Sequence, residues 1–129
     1  MNSSAEKATA QPAGRRIFVV EDEFLIRMLL EDMLTDLGYA LAGVAGRIDE
    51  AIEIAKTVEC DLAILDVNLD GQEVFPVADL LAKRGMPFIF VTGYGGRGLP
   101  DPYGNHPVLQ KPFQMEELNS TLARLLPAS

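Results

Sequence analysis

Short apolar runs alternate along this chain with longer segments in which apolar residues recur every three or four positions. The runs predict β-strands, and the longer segments predict amphipathic helices that each bury one face. Strands that alternate with helices in this way are typical of βαβ units and a parallel sheet. Strands are therefore predicted at residues 16–20, 39–45, 61–66, 87–92 and 108–110.

The helical spacing is clearest over residues 26–37, and this segment ends before Gly38, a residue that helix C-termini prefer. Its predicted buried face consists of Ile26, Leu29, Leu30, Met33, Leu34 and Leu37. Further helices are predicted near residues 48–55, 74–84 and 114–126. Pro76 must lie in the first turn of its helix, because proline breaks a helix interior. The last helix is predicted to bury Met115, Leu118, Leu122 and Leu125.

Residues 93–107 break the rhythm, because they contain five glycines and three prolines. In a helix interior each glycine costs about 1 kcal/mol relative to alanine, and each proline about 3 kcal/mol. A short or irregular turn is therefore predicted in place of the helix of the fourth crossover. His106 in this segment is expected to be solvent-exposed rather than a metal ligand.

Composition narrows the class of protein. A chain of 129 residues with 48% hydrophobic residues predicts one globular domain, placed at residues 15–127 after a disordered leader at 1–14. The net charge of −8 argues against a DNA-binding surface. No apolar stretch is long enough for membrane insertion, so a cytoplasmic protein is expected. Cys60 is the only cysteine, which excludes an internal disulfide, and burial at a strand start is expected for it.

Acidic residues follow two of the predicted strands. Glu21 and Asp22 come directly after the first strand, and Asp66 ends the third. The carboxyl ends of parallel strands meet at one edge of the sheet, where ligands bind. Three acids there repel one another unless a cation joins them, and Mg²⁺ prefers such oxygen ligands. The alternative is that the acids only cap strands or the N-terminus of the first helix.

Two further groups end predicted strands, namely Thr92 after the fourth and Lys111 after the fifth. The Asp66 carboxylate can act as a nucleophile and form an acyl phosphate. Lys111 would then offset the charge of the phosphoryl group, and Thr92 could offer its hydroxyl to a phosphoryl oxygen. Alternatively, Thr92 is an ordinary β-branched strand residue and Lys111 a solvated charge. A cis Lys111–Pro112 bond would aim the lysine inward, but the sequence does not decide between cis and trans.

Together, Glu21-Asp22, Asp66, Thr92 and Lys111-Pro112-Phe113 resemble the receiver domain of two-component response regulators. The resemblance covers about residues 15–127. It implies an α/β fold, a flavodoxin-like, doubly wound, five-stranded parallel sheet.

The resemblance also implies a function and its residues. Asp66 would accept a phosphoryl group from a sensor histidine kinase or a phosphotransfer protein. Mg²⁺ would be held by Asp22, Asp66 and the backbone carbonyl of Asn68, with Glu21 reaching it through water. Thr92 and Lys111 would take the switch and phosphate-contact roles beside Asp66. Activity would be limited to Mg²⁺-dependent self-phosphorylation and autodephosphorylation, so the protein is not expected to be an enzyme.

The chain departs from the common receiver pattern in three places. Val108 stands where an aromatic switch residue is usual, and Tyr94 is one candidate replacement. The loop at residues 67–71 is short and lacks the common proline. The fourth crossover is glycine-rich. Residues 87–95 resemble the "FAT GUY" subgroup, which is mostly single-domain and linked to stress signalling.

Two other functions share the same chemistry or fold. A Mg²⁺-dependent phosphatase usually has a second acid two residues after the nucleophile, but that position is Asn68. A flavin or nucleotide binder would need a phosphate-cradling loop after the first strand, where acids stand instead. A stand-alone receiver is favoured. Because no output domain follows, its signal is expected to leave by protein–protein contact or phosphate relay, to an unknown downstream protein, from a monomer or weak homodimer.

Overall fold

The computed structural model describes residues 14–93 and 99–126. Most of the predicted leader and Tyr94 lie outside these residues, so both predictions stay open, as do the predicted domain bounds. The elements are β1 (Arg16–Val20), α1 (Phe24–Asp36), β2 (Ala40–Ala45), α2 (Ile48–Thr57), β3 (Leu62–Asp66), β4 (Asn68–Leu69), β5 (Gln72–Glu73), α3 (Phe75–Lys83), β6 (Phe88–Thr92), β7 (Val108–Gln110) and α4 (Met115–Leu125).

Five of the strands form a parallel sheet in the order β2-β1-β3-β6-β7. This is the predicted flavodoxin-like, doubly wound order, in which the chain moves outward from β1 in both directions. Every residue of β3 and β6 is buried, as expected for strands covered by helices on both faces. No described helix is long and apolar enough to cross a membrane.

The two faces of the sheet have separate hydrophobic cores. Alternation along each strand sends Phe18, Leu65 and Phe90 to the face covered by α2 and α3. The neighbouring residues Ile64 and Val91 point to the face covered by α1 and α4. All five side chains are at most 1% exposed, so the sheet is fixed between its helix layers. This fixes the position of the strand ends that carry the polar residues.

Helix α1 begins at Phe24, directly after the acids, and its buried face is narrower than predicted. Leu30 and Leu34 are buried as predicted, but Leu29 is 50% exposed. The prediction that Met115 of α4 faces inward is also wrong, since its side chain is 38% exposed. Both residues sit at the margin of an apolar stripe, where the neighbouring elements do not reach far enough to cover them. Gly38 ends α1 with a φ of 95°, which suits glycine.

A short hairpin of β4 and β5 follows β3, and it was not predicted. Its turn contains Asp70 and Gly71, with φ values of 52° and 88°. Positive φ at both central turn residues is favoured by Asp-Gly and matches the twist of a hairpin. The side chain of Asn68 accepts a hydrogen bond from the Gly71 amide at 2.7 Å. The hairpin therefore closes the segment that follows Asp66.

The crossover from β6 to β7 contains no helix in its described part, residues 93 and 99–107, as predicted. Instead, Tyr103 is buried against Phe75 and Phe90, and its hydroxyl donates a hydrogen bond to Asp79 of α3. His106 is half-buried and stacks on Phe88 with ring centroids 4.4 Å apart, so the expectation of an exposed histidine is wrong. Two rings from an irregular segment thus cover a sheet face that a helix would usually cover.

Candidate functional site

Polar side chains from the ends of three strands converge at the carboxyl edge of the sheet. Glu21 follows β1 and Asp66 ends β3, and these strands are neighbours. Lys111 follows the edge strand β7, and its backbone amide donates to the carbonyl of Thr92 at 2.8 Å. Its ammonium nitrogen reaches back across the sheet to Asp66 Oδ2 at 3.0 Å. The Lys111–Pro112 peptide bond is cis.

The acids of this edge form one cluster. One carboxylate oxygen from each of Glu21, Asp22 and Asp66 lies within 4.8 Å of the others. Glu21 is 1% exposed and Asp66 is 5% exposed, while Asp22 is half-buried. Lys111 Nζ lies 3.1 Å from Glu21 Oε1, yet this oxygen accepts no hydrogen bond from any described residue. This buried oxygen therefore has a cation close to it but no hydrogen-bond donor among the described residues.

Burial and the charges of neighbouring groups both shift the pKa values in this cluster. Burial raises the pKa of Glu21, and the nearby charge of Asp66 raises it further. Burial also raises the pKa of Asp66, although the hydrogen bond and charge of Lys111 oppose this. For Lys111, burial lowers the pKa, but the hydrogen bonds and charges of Asp66 and Glu21 outweigh it and the pKa lies above its usual value. Within the cluster, the carboxylates of Glu21 and Asp66 thus share the ammonium group of Lys111.

The β4–β5 hairpin forms one wall of the cluster. The Asn68 amide lies 3.3 Å from Asp66 Oδ1, and the Asp70 amide donates to Asp22 Oδ2 at 3.0 Å. Asp22 and Asp66 are thereby both tied to the hairpin. The side chain of Asn68 is directed to its own turn, and the residue is exposed.

The structure therefore gathers Glu21, Asp22, Asp66 and Lys111 through direct side-chain proximity, while Asn68 meets Asp66 through its backbone. Thr92 is buried at the end of β6, where its carbonyl meets the Lys111 amide. The roles assigned to these residues stay predictions at this stage.

Sequence reasoning missed Glu23, an exposed acid whose Oε1 lies 3.4 Å from Lys111 Nζ. Its position directly after the Glu21-Asp22 pair was the available signal. Cys60 is half-buried rather than fully buried, and burial raises its pKa to about 11.

An apolar surface adjoins the cluster. Its exposed side chains, which we call the α1 patch, are Phe24, Leu25, Met28 and Leu29 of α1. A groove of about 280 Å³ runs beside the patch and is lined by Ile26, Leu29, Leu30, Met33, Lys111, Pro112 and Phe113. Because Lys111 belongs to both the groove and the acid cluster, the apolar surface reaches the edge of the site.

Comparison with known protein families identifies the arrangement. The profile of the response regulator receiver domain matches residues 17–123. The chain belongs to the response regulator receiver family. This receiver is a signalling domain rather than a classical enzyme, so the phosphatase and the flavin-binding alternatives are not supported.

Individual relatives agree with this assignment. The phyllosphere-induced regulator PhyR of Methylorubrum extorquens is 33% identical over 129 residues, covering 95% of this chain and 47% of the relative. The solution structure of SdrG from Sphingomonas melonis Fr1 has 41% identity and a TM-score of 0.76, and the match covers 86% of this chain and 95% of SdrG. The resemblance to the FAT GUY subgroup fits these two neighbours. The chain spans about half the length of the curated relatives it matches.

A more distant receiver shares the fold. The receiver domain of the sensor histidine kinase PA1611 from Pseudomonas aeruginosa, solved with a magnesium ion coordinated in its active-site cleft, has 24% identity and a TM-score of 0.73. The match covers 88% of this chain and 98% of that domain.

Proposed function

We propose that this receiver accepts a phosphoryl group on Asp66 from the phosphohistidine of a sensor histidine kinase or a phosphotransfer protein. One observation carries the proposal. The Asp66 carboxylate lies at the carboxyl end of a central strand, within 3.0 Å of a lysine ammonium and beside two further acids. An aspartate with a cation at hand and other acids around it is suited to receive an anionic group that a metal and a lysine neutralise.

The residues at this edge fit Mg²⁺. Hard oxygen ligands and incomplete protein coordination suit this ion, and the buried Glu21 Oε1 accepts no hydrogen bond from a described residue. Asp22, Asp66 and the backbone carbonyl of Asn68 would hold the ion, with Glu21 reaching it through water. When bound, the ion would offset the charge of the acids and of the incoming phosphoryl oxygens.

The transfer itself forms one bond and breaks one. A carboxylate oxygen of Asp66 forms a bond to phosphorus as the phosphorus–nitrogen bond to the donor histidine breaks. The donor ring, protonated at its other nitrogen, leaves as a neutral imidazole, and Asp66 becomes an acyl phosphate. Lys111, already 3.0 Å from Asp66, would contact a phosphoryl oxygen. Thr92 would donate a hydrogen bond from its hydroxyl group to another phosphoryl oxygen. Lys111 and Thr92 are also adjacent through a backbone hydrogen bond, so the two responses would be coupled.

The α1 patch is the surface that we assign to the phosphodonor. A donor histidine must approach Asp66 at the carboxyl edge, and the patch and its groove border that edge through Lys111. Adjoining exposed apolar side chains of this size are typical of an interaction site. We further propose a cytoplasmic monomer or weak homodimer that signals by protein–protein contact or phosphate relay and does not bind DNA.

Labelling with a small phosphodonor tests the assignment of Asp66. Wild-type protein incubated with acetyl phosphate and Mg²⁺ should gain the mass of one phosphoryl group, mapped to Asp66. Asp66→Asn should gain none, because an amide is not a comparable nucleophile. Asp61→Asn, which changes an acid at the opposite end of β3, is the matched control and should label like wild type. Robust labelling of Asp66→Asn would refute the proposal.

A further inference from the structure

Arg27 on α1 reaches backward into the turn that presents the acids. Its Nη1 donates a hydrogen bond to the backbone carbonyl of Glu21 at 3.1 Å. Its backbone amide donates to the carbonyl of Glu23 at 2.9 Å. The Arg27 side chain therefore holds the Glu21 end of the turn at residues 21–23, and the helix backbone holds the Glu23 end. Asp22 lies at the centre of this turn.

Gly46, at the end of β2, provides the space for this guanidinium group. A β-carbon built on Gly46 would overlap Arg27 Nη1 and would lie 3.6 Å from the Glu21 carbonyl oxygen. The backbone of Gly46 does not adopt a left-handed conformation, so an alanine would fit it without backbone strain. Glycine matters here because it leaves room for the arginine.

Other contacts keep Arg27 in this position. Its guanidinium carbon lies 5.6 Å from the centre of the exposed Phe24 ring, within the range of a cation–π contact. Arg27, Gly46 and Asp22 line one depression of about 400 Å³, together with Arg47. The guanidinium group of Arg47 carries the same charge but, among the described residues, bonds only to the neighbouring Asp49, at 2.7 Å. Arg27 and Arg47 thus carry the same charge but bond to different groups.

We propose that Arg27 is a positioning residue for the magnesium site and that Gly46 is required to admit it. The acids of the cluster repel one another, so a turn free to move would carry Asp22 away from Asp66. Arg27 opposes this movement by holding the Glu21 carbonyl, one peptide from Asp22. It acts through the backbone of Glu21 and contacts neither metal nor phosphate. This inference rests on the proposed function, because it concerns the same site.

Four variants test the proposal, with Mg²⁺ affinity measured by NMR titration of the purified protein. Arg27→Ala should weaken Mg²⁺ binding by about 10-fold, the lower end of the range for groups that orient metal ligands. Gly46→Ala should do the same, because the methyl group displaces the flexible guanidinium. Arg47→Ala removes an equal charge from the same depression and should change affinity by less than about 2-fold. Arg27→Ala/Gly46→Ala should be no weaker than Arg27→Ala alone, since the displaced group is already gone.

A second readout uses no metal. In EDTA, ¹⁵N relaxation of the Glu23 and Asp70 amides reports the order of the turn, because these amides donate to the carboxylates of Glu21 and Asp22. Their order should fall in Arg27→Ala and Gly46→Ala but not in Arg47→Ala. Equal effects of Arg27→Ala and Arg47→Ala, or additive effects in the double variant, would overturn the proposal. If wild-type protein binds no Mg²⁺, the proposed function fails, while the metal-free measurement still tests Arg27.

Discussion

At the scale of single residues, the least favourable group in the described structure is Glu21. Its carboxyl group is buried, one oxygen accepts no hydrogen bond from a described residue, and Asp66 adds repulsion. Burying a charge in such surroundings costs stability unless a partner compensates it. Lys111 compensates in part, from 3.1 Å. A residue that is unfavourable for stability and beside a reactive group is typical of a functional site.

Glu21→Gln should therefore stabilise the metal-free protein, by about 1 kcal/mol in the free energy of unfolding, because it removes a buried negative charge. In saturating Mg²⁺ this gain in the free energy of unfolding should shrink or reverse, because the variant lacks a carboxylate that balances the charge of the ion. Urea unfolding in EDTA and in Mg²⁺ measures both values. Glu23→Gln removes an equal charge from an exposed position and should change neither of the two free energies of unfolding by much. A Glu21→Gln protein less stable than wild type in EDTA would contradict this interpretation.

At the scale of elements, the β6–β7 crossover shows how an irregular segment is held without a helix. Tyr103 lies among Phe75, Phe88 and Phe90, and its ring is nearly parallel to that of Phe75. Burial raises the pKa of Tyr103 to about 12, and the hydrogen bond to Asp79 contributes to the shift. Val108 pairs with Phe90 in the sheet and packs against the same cluster. Strand β7 thus has Val108 where an aromatic residue is usual, and the crossover supplies the ring of Tyr103 to the same cluster.

Replacing Tyr103 separates the contribution of the ring from that of the hydroxyl. Tyr103→Ala should destabilise the protein by about 3 kcal/mol, because it empties a buried aromatic site. Tyr103→Phe keeps the ring and should cost only about 1 kcal/mol, the net value of a hydrogen bond to an exposed partner. Chemical denaturation gives both values, and hydrogen exchange at residues 99–107 should increase in the alanine variant. Similar losses for the two variants would show that the ring is not the anchor.

At the scale of the whole molecule, helix α1 has one side buried on the sheet and one side exposed. Leu30 and Leu34 of α1 pack on the sheet, while Phe24 and Leu25 remain exposed. Residues from opposite ends of the chain form the adjoining groove, since α1 and the segment after β7 line it together. The patch thus lies where a partner that reaches Asp66 would contact the domain.

Leu25→Asp should slow phosphoryl transfer from a phosphorylated histidine kinase by about 10-fold, since one buried interface side chain contributes roughly 1.4 kcal/mol or more. The reference donor would be the fastest of a set of purified, ATP-phosphorylated kinases. Labelling by acetyl phosphate should stay unchanged, because Leu25 is 76% exposed and outside the acid cluster. Ala82→Asp places the same charge at an exposed position of α3 on the opposite face and should leave both reactions unchanged. Equal slowing with both donors would argue against a docking role.

Sequence patterns alone were sufficient for the order of strands and helices and for the residues at the strand ends. These depend on local periodicity, because a strand or helix buries one face whatever its neighbours are. The residues Asp66 and Lys111 could be selected because each directly follows an apolar run. The β4–β5 hairpin was missed, although Asp70-Gly71 was a sufficient local signal for it.

Tertiary structure decided what depends on distant neighbours. Lys111 meets Asp66 across 45 residues of chain and Glu21 across 90, and these approaches follow from strand order and a backbone path that local pattern does not specify. The exposure of Leu29 and the half-burial of His106 depend on which elements lie opposite them. The fit of Arg27 against Gly46 depends on two segments that only the folded sheet brings together. Periodicity identifies the face that a residue occupies, but side-chain contacts arise from the packing of elements that are far apart in the chain.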